Sequence, residues 1–397
     1  MIKRFSTRNY KSINDLSIEL GKINVFIGEN GSGKSNILES LALASAAING
    51  NIENEQLALR GVRISDAIYY RSGFDRTNTE KDIHFNIRSN DDHEIIANLS
   101  NDNQPFSKWK SELKVNGINL EAQMKLSINE YIDSMLKQKA NPQSDKDEIS
   151  SESIKTFMNR LLESYTSNFS PIVASFHFTD FIIYAPENYF LRNYSTEETY
   201  IEPLGYRGEG LLKLIKIIKK EKPEQYNDIV RNLHLIDWLD RFEIIESNIV
   251  SDSEFKLTDK YLEDGIASFD IRSANEGFLF LLFYLTLFIS DYTPNVFAID
   301  NIDTALNPKL CTKLIMLLSK LASTYNKQVI ITTHNPSILD GLNLNNEDEK
   351  LYVITRGIDG STIATRVKKK EPLSGEAPLK LSEQFLRGYI GGLPKNF

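Results

Sequence analysis

With one cysteine, Cys311, in 397 residues, the chain can build neither a disulfide framework nor a cysteine-ligated zinc site. It also lacks a bilayer-length apolar run. The most hydrophobic stretch, "GFLFLLFYLTLFIS" over 277–290, is 14 residues, against the roughly 18–20 that a membrane helix needs. It reads as a fully buried helix. The N-terminal "MIKRFSTRNYKSI" has no apolar core of a secretion signal, so a cytoplasmic location without membrane association is expected. Positive charge is short too. A net charge of −8 gives no global field to draw the chain onto nucleic acid. The one lysine-rich run, "KLIKIIKKEK" at 213–222, fits a helix with Leu214, Ile215, Ile217 and Ile218 on an apolar face and the lysines solvated. The five histidines (84, 93, 177, 234 and 334) are scattered and form no metal-nuclease pattern.

What remains is ordinary globular material, 41% hydrophobic and 25% charged, long enough for two or three domains or for one large domain with an insertion. Short strands ("IKRFSTRNY", "LSIEL") open the chain. A helix is expected in "NEQLALRGVR", followed by a β-meander through "DIHFNIRS" and "HEIIANLS". Met124, Ile128, Tyr131, Ile132, Met135 and Leu136 recur at helical spacing, as do Ile154, Phe157, Met158, Leu161, Leu162 and Tyr165. The polar "KQKANPQSDKDEISSES" between them predicts the tip of an antiparallel helical hairpin over 101–170. Strand-like text returns at "IVASFHF" and "FIIYAP", then helices at 208–221 and 224–239 and strands at "FEIIESNIV" and "FKLTDKYL". The closing strand–helix alternation implies an α/β fold, a mixed and mainly parallel sheet with flanking helices. The expected organisation is therefore a core split into 1–100 and 171–397 around an inserted hairpin at 101–170.

"GENGSGKS", Gly28 to Ser35, satisfies G-x-x-x-x-G-K-[ST] in full, with the strand "INVFI" before it and a helix after it. Glycines let backbone N–H groups converge on phosphates without side-chain clash, and the helix N-terminus adds its positive end. Lys34 is a mobile cation for the β- and γ-phosphates, and the Ser35 hydroxyl is a magnesium ligand. The pattern and its context predict the phosphate loop of a P-loop NTPase, with ATP and Mg2+ as the expected ligand pair. Far downstream, "NVFAID" ends a buried strand in Asp300, placed to hold magnesium, and "VIITTHNPS" ends a second strand at His334.

The loop and its neighbours resemble those of SMC, RecF and OLD-type ATPases. Asn30, Gly31, Ser32, Gly33, Lys34, Ser35 and Asn36 spell the "NGSGKSN" of that group, and Lys11 in "RNYKSINDLSIEL" falls in a stretch like its N-terminal strands. The resemblance implies an ABC-ATPase head whose half-sites pair head-to-tail, so that a signature loop of one copy closes over the other's γ-phosphate. In this reading Asn275 and Gly277 of "IRSANEGF" stand for the signature, the competing role being an ordinary helix cap by Ser273 or Asn275. Ala305 and Asn307 of "DTALNP" stand for the D-loop, and His334 for the switch histidine. The position after Asp300, glutamate in such sites, is Asn301. An amide orients water but takes no proton from it, so general-base help worth roughly 10²–10⁴-fold is missing. Hydrolysis is then slow, or Asp303 supplies the carboxylate, or a partner completes the site.

Taken over the chain outside 101–170, the resemblance is to the AAA/ABC-type ATPases of bacterial antiphage and toxin–antitoxin loci. It implies a homodimer through the ATP sites, with higher oligomers open, that acts as sensor or scaffold for a separate effector, a nuclease or toxin. The text after His334 reads as the last strands of the core, which puts any nuclease on another chain. A RecF/SMC-like repair ATPase clamping DNA is the alternative. A transporter subunit is the third reading, disfavoured because the signature is degenerate and Gln56 is a weak Q-loop candidate. The glycine-rich "LRGYIGGLP" near the C-terminus suggests a tail that turns back onto the core.

Overall fold

The computed structural model describes residues 1–104, 106–119, 169–192, 203–245, 254–263, 268–368 and 379–393, with Ala122 and residues 126–128. The chain divides into two compact units, Met1–Glu19, Leu43–Glu53 and Ser65–Asp180 in the first, and Leu20–Ala42, Asn54–Ile64 and Phe181–Phe397 in the second. In chain order the first strands are β1 (Ile2–Tyr10), β2 (Ile13–Glu19), β3 (Ile23–Ile27), β4 (Ile83–Ser89), β5 (Glu94–Ser100), β6 (Lys110–Val115) and β7 (Ile118–Asn119). They are followed by β8 (Ile183–Tyr184), β9 (Leu239–Ile245), β10 (Glu254–Asp259), β11 (Ser268–Asp270), β12 (Val296–Ile299), β13 (Gln328–Thr333), β14 (Glu349–Arg356) and β15 (Thr362–Val367). The helices are α1 (Lys34–Ile48), α2 (Asn54–Leu59), α3 (Ala67–Tyr70), α4 (Asn188–Arg192), α5 (Leu211–Glu221), α6 (Pro223–Leu233), α7 (Glu276–Ile289), α8 (Pro308–Thr324) and α9 (Leu381–Leu386).

The first unit is built on an antiparallel sheet ordered β2–β1–β4–β5–β6–β7. Period-two alternation sets its faces: Ile83, Phe85 and Ile87 are buried, and Arg88 between them and the turn is exposed. The other face carries exposed pairs such as Arg4–Glu19 (3.0 Å) and Arg8–Asp15 (2.8 Å), worth little to stability. The sheet continues through 110–119, which corrects the expectation that the inserted arm begins at 101. The signal is "VNGI": Asn116 (φ 50°) and Gly117 (φ 82°) both take left-handed backbone, the requirement of a two-residue hairpin turn between Val115 and Ile118. The helical repeats assigned to the hairpin arm lie almost entirely outside the described residues. Residues 169–175 are helical rather than the strand read from "IVASFHF", with the Ser175 hydroxyl donating to Ile172 O (2.6 Å) in place of a ladder bond.

The second unit carries a sheet ordered β15–β14–β3–β13–β12–β8, parallel throughout except for the β14–β15 hairpin. Its central strands β3, β12 and β13 are buried at every residue, as expected when helices cover both faces. All residues of α7 from Phe278 to Ile289 are buried, so the run of 277–290 is a core helix. Among the described residues no helix is long and apolar enough to cross a membrane. A three-stranded antiparallel sheet, β11–β10–β9, completes this unit. The lysine-rich helix α5 buries Leu214, Ile215 and Ile218. Two of its lysines are engaged within the unit: Lys219 donates to Ile244 O (2.7 Å) and Lys216 lies 5.3 Å from the centre of the Phe255 ring.

Candidate functional site

Sheet order puts three strand ends side by side. β13 lies between β3 and β12, all three parallel, so Ile27, Thr333 and Ile299 finish at the same edge. The residues that follow them are Gly28, His334 and Asp300. Segments about 270 and 305 residues apart in sequence thus meet at the carboxyl edge of a parallel sheet, where α/β folds place their ligands. An open cleft of about 370 Å³ forms there, lined by Asn30, Gly31, Gly33, Lys34, Ser35, Asn36, Arg63, Asp300, Asn301, His334 and Arg356.

Lys34 opens α1, and its buried ammonium donates to Gly28 O (2.9 Å) and Glu29 O (3.0 Å) of its own loop. Burial pulls its pKa below the usual lysine value, and the negative charges of Asp300, Glu29 and Asp303 oppose that shift. Ser35 Oγ donates to Asp300 Oδ2 at 3.2 Å. The other oxygen, Asp300 Oδ1, accepts from the Thr332 hydroxyl. A hydroxyl and a carboxylate, both oxygen donors, converge on one point of a phosphate-sized cleft, which is the donor chemistry that suits magnesium.

Asn301 sits at φ 54°, in the left-handed region that asparagine tolerates better than other branched or long side chains. Its backbone N–H donates to Thr332 Oγ1 (2.9 Å), and Thr304 Oγ1 donates to its carbonyl (2.9 Å). Asp303 faces another way: Oδ1 accepts from the Thr333 hydroxyl (2.6 Å) and from the His334 N–H (3.4 Å). It therefore holds the loop that carries His334, and it is absent from the cleft lining. Burial in the cleft, followed by the nearby Lys34 charge, lowers the His334 pKa, while Asp303 and Asp300 pull the other way. Beneath this loop the buried Tyr284 hydroxyl donates to Ile302 O (3.2 Å), tying α7 to the turn after Asp300.

The signature and D-loop candidates gather elsewhere in the same unit. Asn275 caps α7, its side-chain oxygen accepting from Phe278 N (2.9 Å). The helix-cap role weighed for it is thus real. A Cβ placed on Gly277 would lie 3.4 Å from Ala305 O, so the start of α7 and the 303–307 loop pack together. Ala305 has φ 61°, and Asn307 caps α8 by accepting from Leu310 N (2.9 Å). None of Asn275, Gly277, Ala305 and Asn307 lines this chain's own cleft. Ser32 is buried within the loop. Lys11 belongs to the first unit, in the β1–β2 turn, with its ammonium 5.2 Å from the Tyr70 ring centre and 5.5 Å from that of Tyr10.

Two cleft arginines escaped the sequence reading. Arg63 follows α2, which ends in a Schellman turn: Val62 N donates to Leu57 O (3.0 Å) and Gly61 N to Ala58 O (2.9 Å), with Gly61 at φ 80°. That turn delivers Arg63 to Glu39 Oε1 (2.6 Å) and Asn36 Oδ1 (2.9 Å) on α1. Arg356 ends β14 and donates through Nε to Gly31 O (2.8 Å). Both come from stretches with no motif of their own. "LRGVR", a helix stop followed at once by a cation, was the available hint for the first.

Residues 23–340 match the family described as AAA domain, putative AbiEii toxin, type IV TA system. An uncharacterized protein of Methanocaldococcus jannaschii is 34% identical over 115 residues, 27% of this chain and 50% of that protein, so the match spans about half of that relative's length. Among solved structures, an SMC head bound to the C-terminal winged-helix domain of ScpA superposes with TM-score 0.55 at 15% identity, covering 93% of this chain and 98% of that one. The SMC head domain from Thermotoga maritima gives TM-score 0.46 at 12% identity, with coverage of 93% and 99%.

Proposed function

The chain belongs to this AAA-domain family and has the fold of an SMC-type ABC ATPase head, and from that premise we propose that it binds and slowly hydrolyses ATP as a head-to-tail dimer. The observation that carries the proposal is the joining of Lys34, Ser35, Asp300 and His334 in one cleft while Asn275, Gly277 and Ala305 cluster outside it. A group that closes over a phosphate but is not in its own chain's cleft has a second copy as its natural target.

In this reading the N–H groups of residues 31–35 and the Lys34 ammonium hold the β- and γ-phosphates. Ser35 and Asp300 would hold Mg2+, which supplies charge neutralisation to the phosphates when bound. His334 donates a hydrogen bond toward the terminal phosphate, its loop fixed by Asp303. Asn301 orients water without taking its proton, so turnover is slow and the ATP-bound form long-lived. Asp303 is a weaker candidate base, because its Oδ1 is engaged by Thr333 and His334 and the residue does not line the cleft. A persistent ATP-bound dimer suits a platform that holds or releases a separate effector, a nuclease or toxin. Support for a protein partner comes from the family's toxin–antitoxin description and from the ScpA-bound state of the similar SMC head.

The test is ATP turnover with Mg2+ in wild type, Lys34→Ala and Asn301→Glu. Lys34→Ala abolishes nucleotide binding, and Asn301→Glu raises turnover by about 10²-fold, the lower end of what a general base contributes. Equal turnover in wild type and Asn301→Glu would remove the slow-hydrolysis reading. Strong stimulation by added DNA would favour the repair-ATPase alternative.

A further inference from the structure

We propose that the C-terminal segment 380–393 is a positioning clasp for the phosphate loop, coupling it to the turn that follows His334. The inference rests on the nucleotide-site reading above and concerns how that site is held. At one end, α9 is fastened to the 3-10 turn Pro336–Gly341, which begins two residues after His334. Ser382 N donates to Asp340 Oδ1 (2.9 Å) and Ser382 Oγ to Asp340 Oδ2 (2.7 Å), so one carboxylate satisfies a backbone N–H of the first turn and holds the serine side chain as well. Phe385 sinks from α9 into the hydrophobic core beside Val353.

A Schellman turn then reverses the chain: Tyr389 N donates to Gln384 O (2.9 Å) and Gly388 N to Phe385 O (2.8 Å). This brings Gly392 (φ 86°) against β14 and the first residue of the phosphate loop. A Cβ at Gly392 would meet Val353 Cγ1 at 2.8 Å, Phe385 Cε2 at 3.2 Å and Gly28 Cα at 3.6 Å. Gly28 also abuts the Ile354 carbonyl of β14, which a side chain there would strike. The tail thus lies in van der Waals reach of the handover from β3 to the phosphate loop, and a side chain at Gly392 would press on Val353 of β14 and on Phe385. No residue of 380–393 lines the cleft, so the segment acts through position and not by touching nucleotide.

An element packed on both the phosphate loop and the His334 turn is linked to ligand binding in both directions. Nucleotide that orders the loop tightens the tail, and loosening the tail weakens nucleotide. The experiment is amide hydrogen exchange over 380–393 in the full wild-type chain with and without ATP and Mg2+, with Lys34→Ala as control, joined to nucleotide affinity of Gly392→Val and Ser382→Ala. Exchange in the tail slows at least about fivefold with nucleotide in wild type and is unchanged in Lys34→Ala, as allosteric coupling of ordinary size requires. Gly392→Val weakens affinity at least about tenfold and Ser382→Ala less, within the same range. Wild-type binding with unaltered tail exchange overturns the clasp, whether or not Gly392→Val folds. So does a variant that melts earlier yet keeps wild-type affinity, since that marks a merely structural tail. Absence of any Lys34-dependent binding overturns the nucleotide-site reading and takes the clasp with it.

Discussion

Asn301 and Asp303 occupy the same turn yet face different tasks. The left-handed backbone at Asn301 suits an asparagine, and a glutamate placed there is strained by about 1 kcal/mol. The Asn301→Glu variant should therefore gain turnover while melting slightly earlier, a pairing that a simple loss of structure would not produce. Asp303 holds Thr333 and the His334 N–H through one oxygen, a role an amide can keep. Asp303→Asn should retain most of the wild-type turnover, and Asp303→Ala should lower it by up to about 10²-fold, as for a misplaced group at a reacting centre. Measured kcat for the two variants decides the matter: if Asp303→Asn is as inactive as Asp303→Ala, the carboxylate is the base and not the tether.

Among the elements, those with a strong period or a complete motif were legible in the sequence. The strand–loop–helix of 23–48 sets the full G-x-x-x-x-G-K-S pattern between an apolar strand and a helix, which is more specific than any of the three alone. The unbroken apolar text of 277–290 identified α7 as a core helix because its length fell short of a bilayer. Less was visible where structure depends on partners distant in the chain. β6 has a half-buried, charge-rich face, so alternation was weak and the Asn116–Gly117 turn was the only firm mark. Within 169–175 the adjacent β-branched pair Ile172–Val173 favours a strand, and tertiary surroundings override that preference. Arg63 and Arg356 reach the cleft through a helix stop and a strand end, neither of which carries a motif.

Lys327 shows how an element end is secured. It precedes β13, and its buried ammonium donates to the carbonyls of Ser290, Thr293 and Pro294 just beyond α7, at 2.8, 2.9 and 3.2 Å. Burial lowers its pKa to about 8, with Asp291 opposing. The unfolded chain, with an ordinary lysine, binds more protons between pH 8 and 10, so stability rises with pH across that window. Lys327→Met should flatten this rise and cost about 2 kcal/mol at pH 7, because three buried carbonyls lose their donor. Chemical denaturation at pH 7, 8 and 9.5 reads both effects, and an unchanged slope in the variant would refute the assignment.

In the proposed dimer each copy would contribute two different parts of an ATP site. The cleft holds the phosphate loop, Asp300 and His334, and the start of α7 with the 303–307 loop forms a second surface that its own cleft does not use. Two such molecules related by a twofold axis would each complete the other, the self-complementary arrangement of most soluble dimers. The most direct measurement is a mixing experiment: the solution mass and turnover of Lys34→Ala, of Gly277→Asp, and of the two combined, each with ATP and Mg2+. Either variant alone should remain at the 45.3 kDa of one chain. The mixture should double in mass and recover turnover, since the intact phosphate loop of one copy meets the intact α7 start of the other. If Gly277→Asp dimerises and hydrolyses ATP as wild type does, or if the mixture stays monomeric and inactive while wild type dimerises, the shared-site account is wrong.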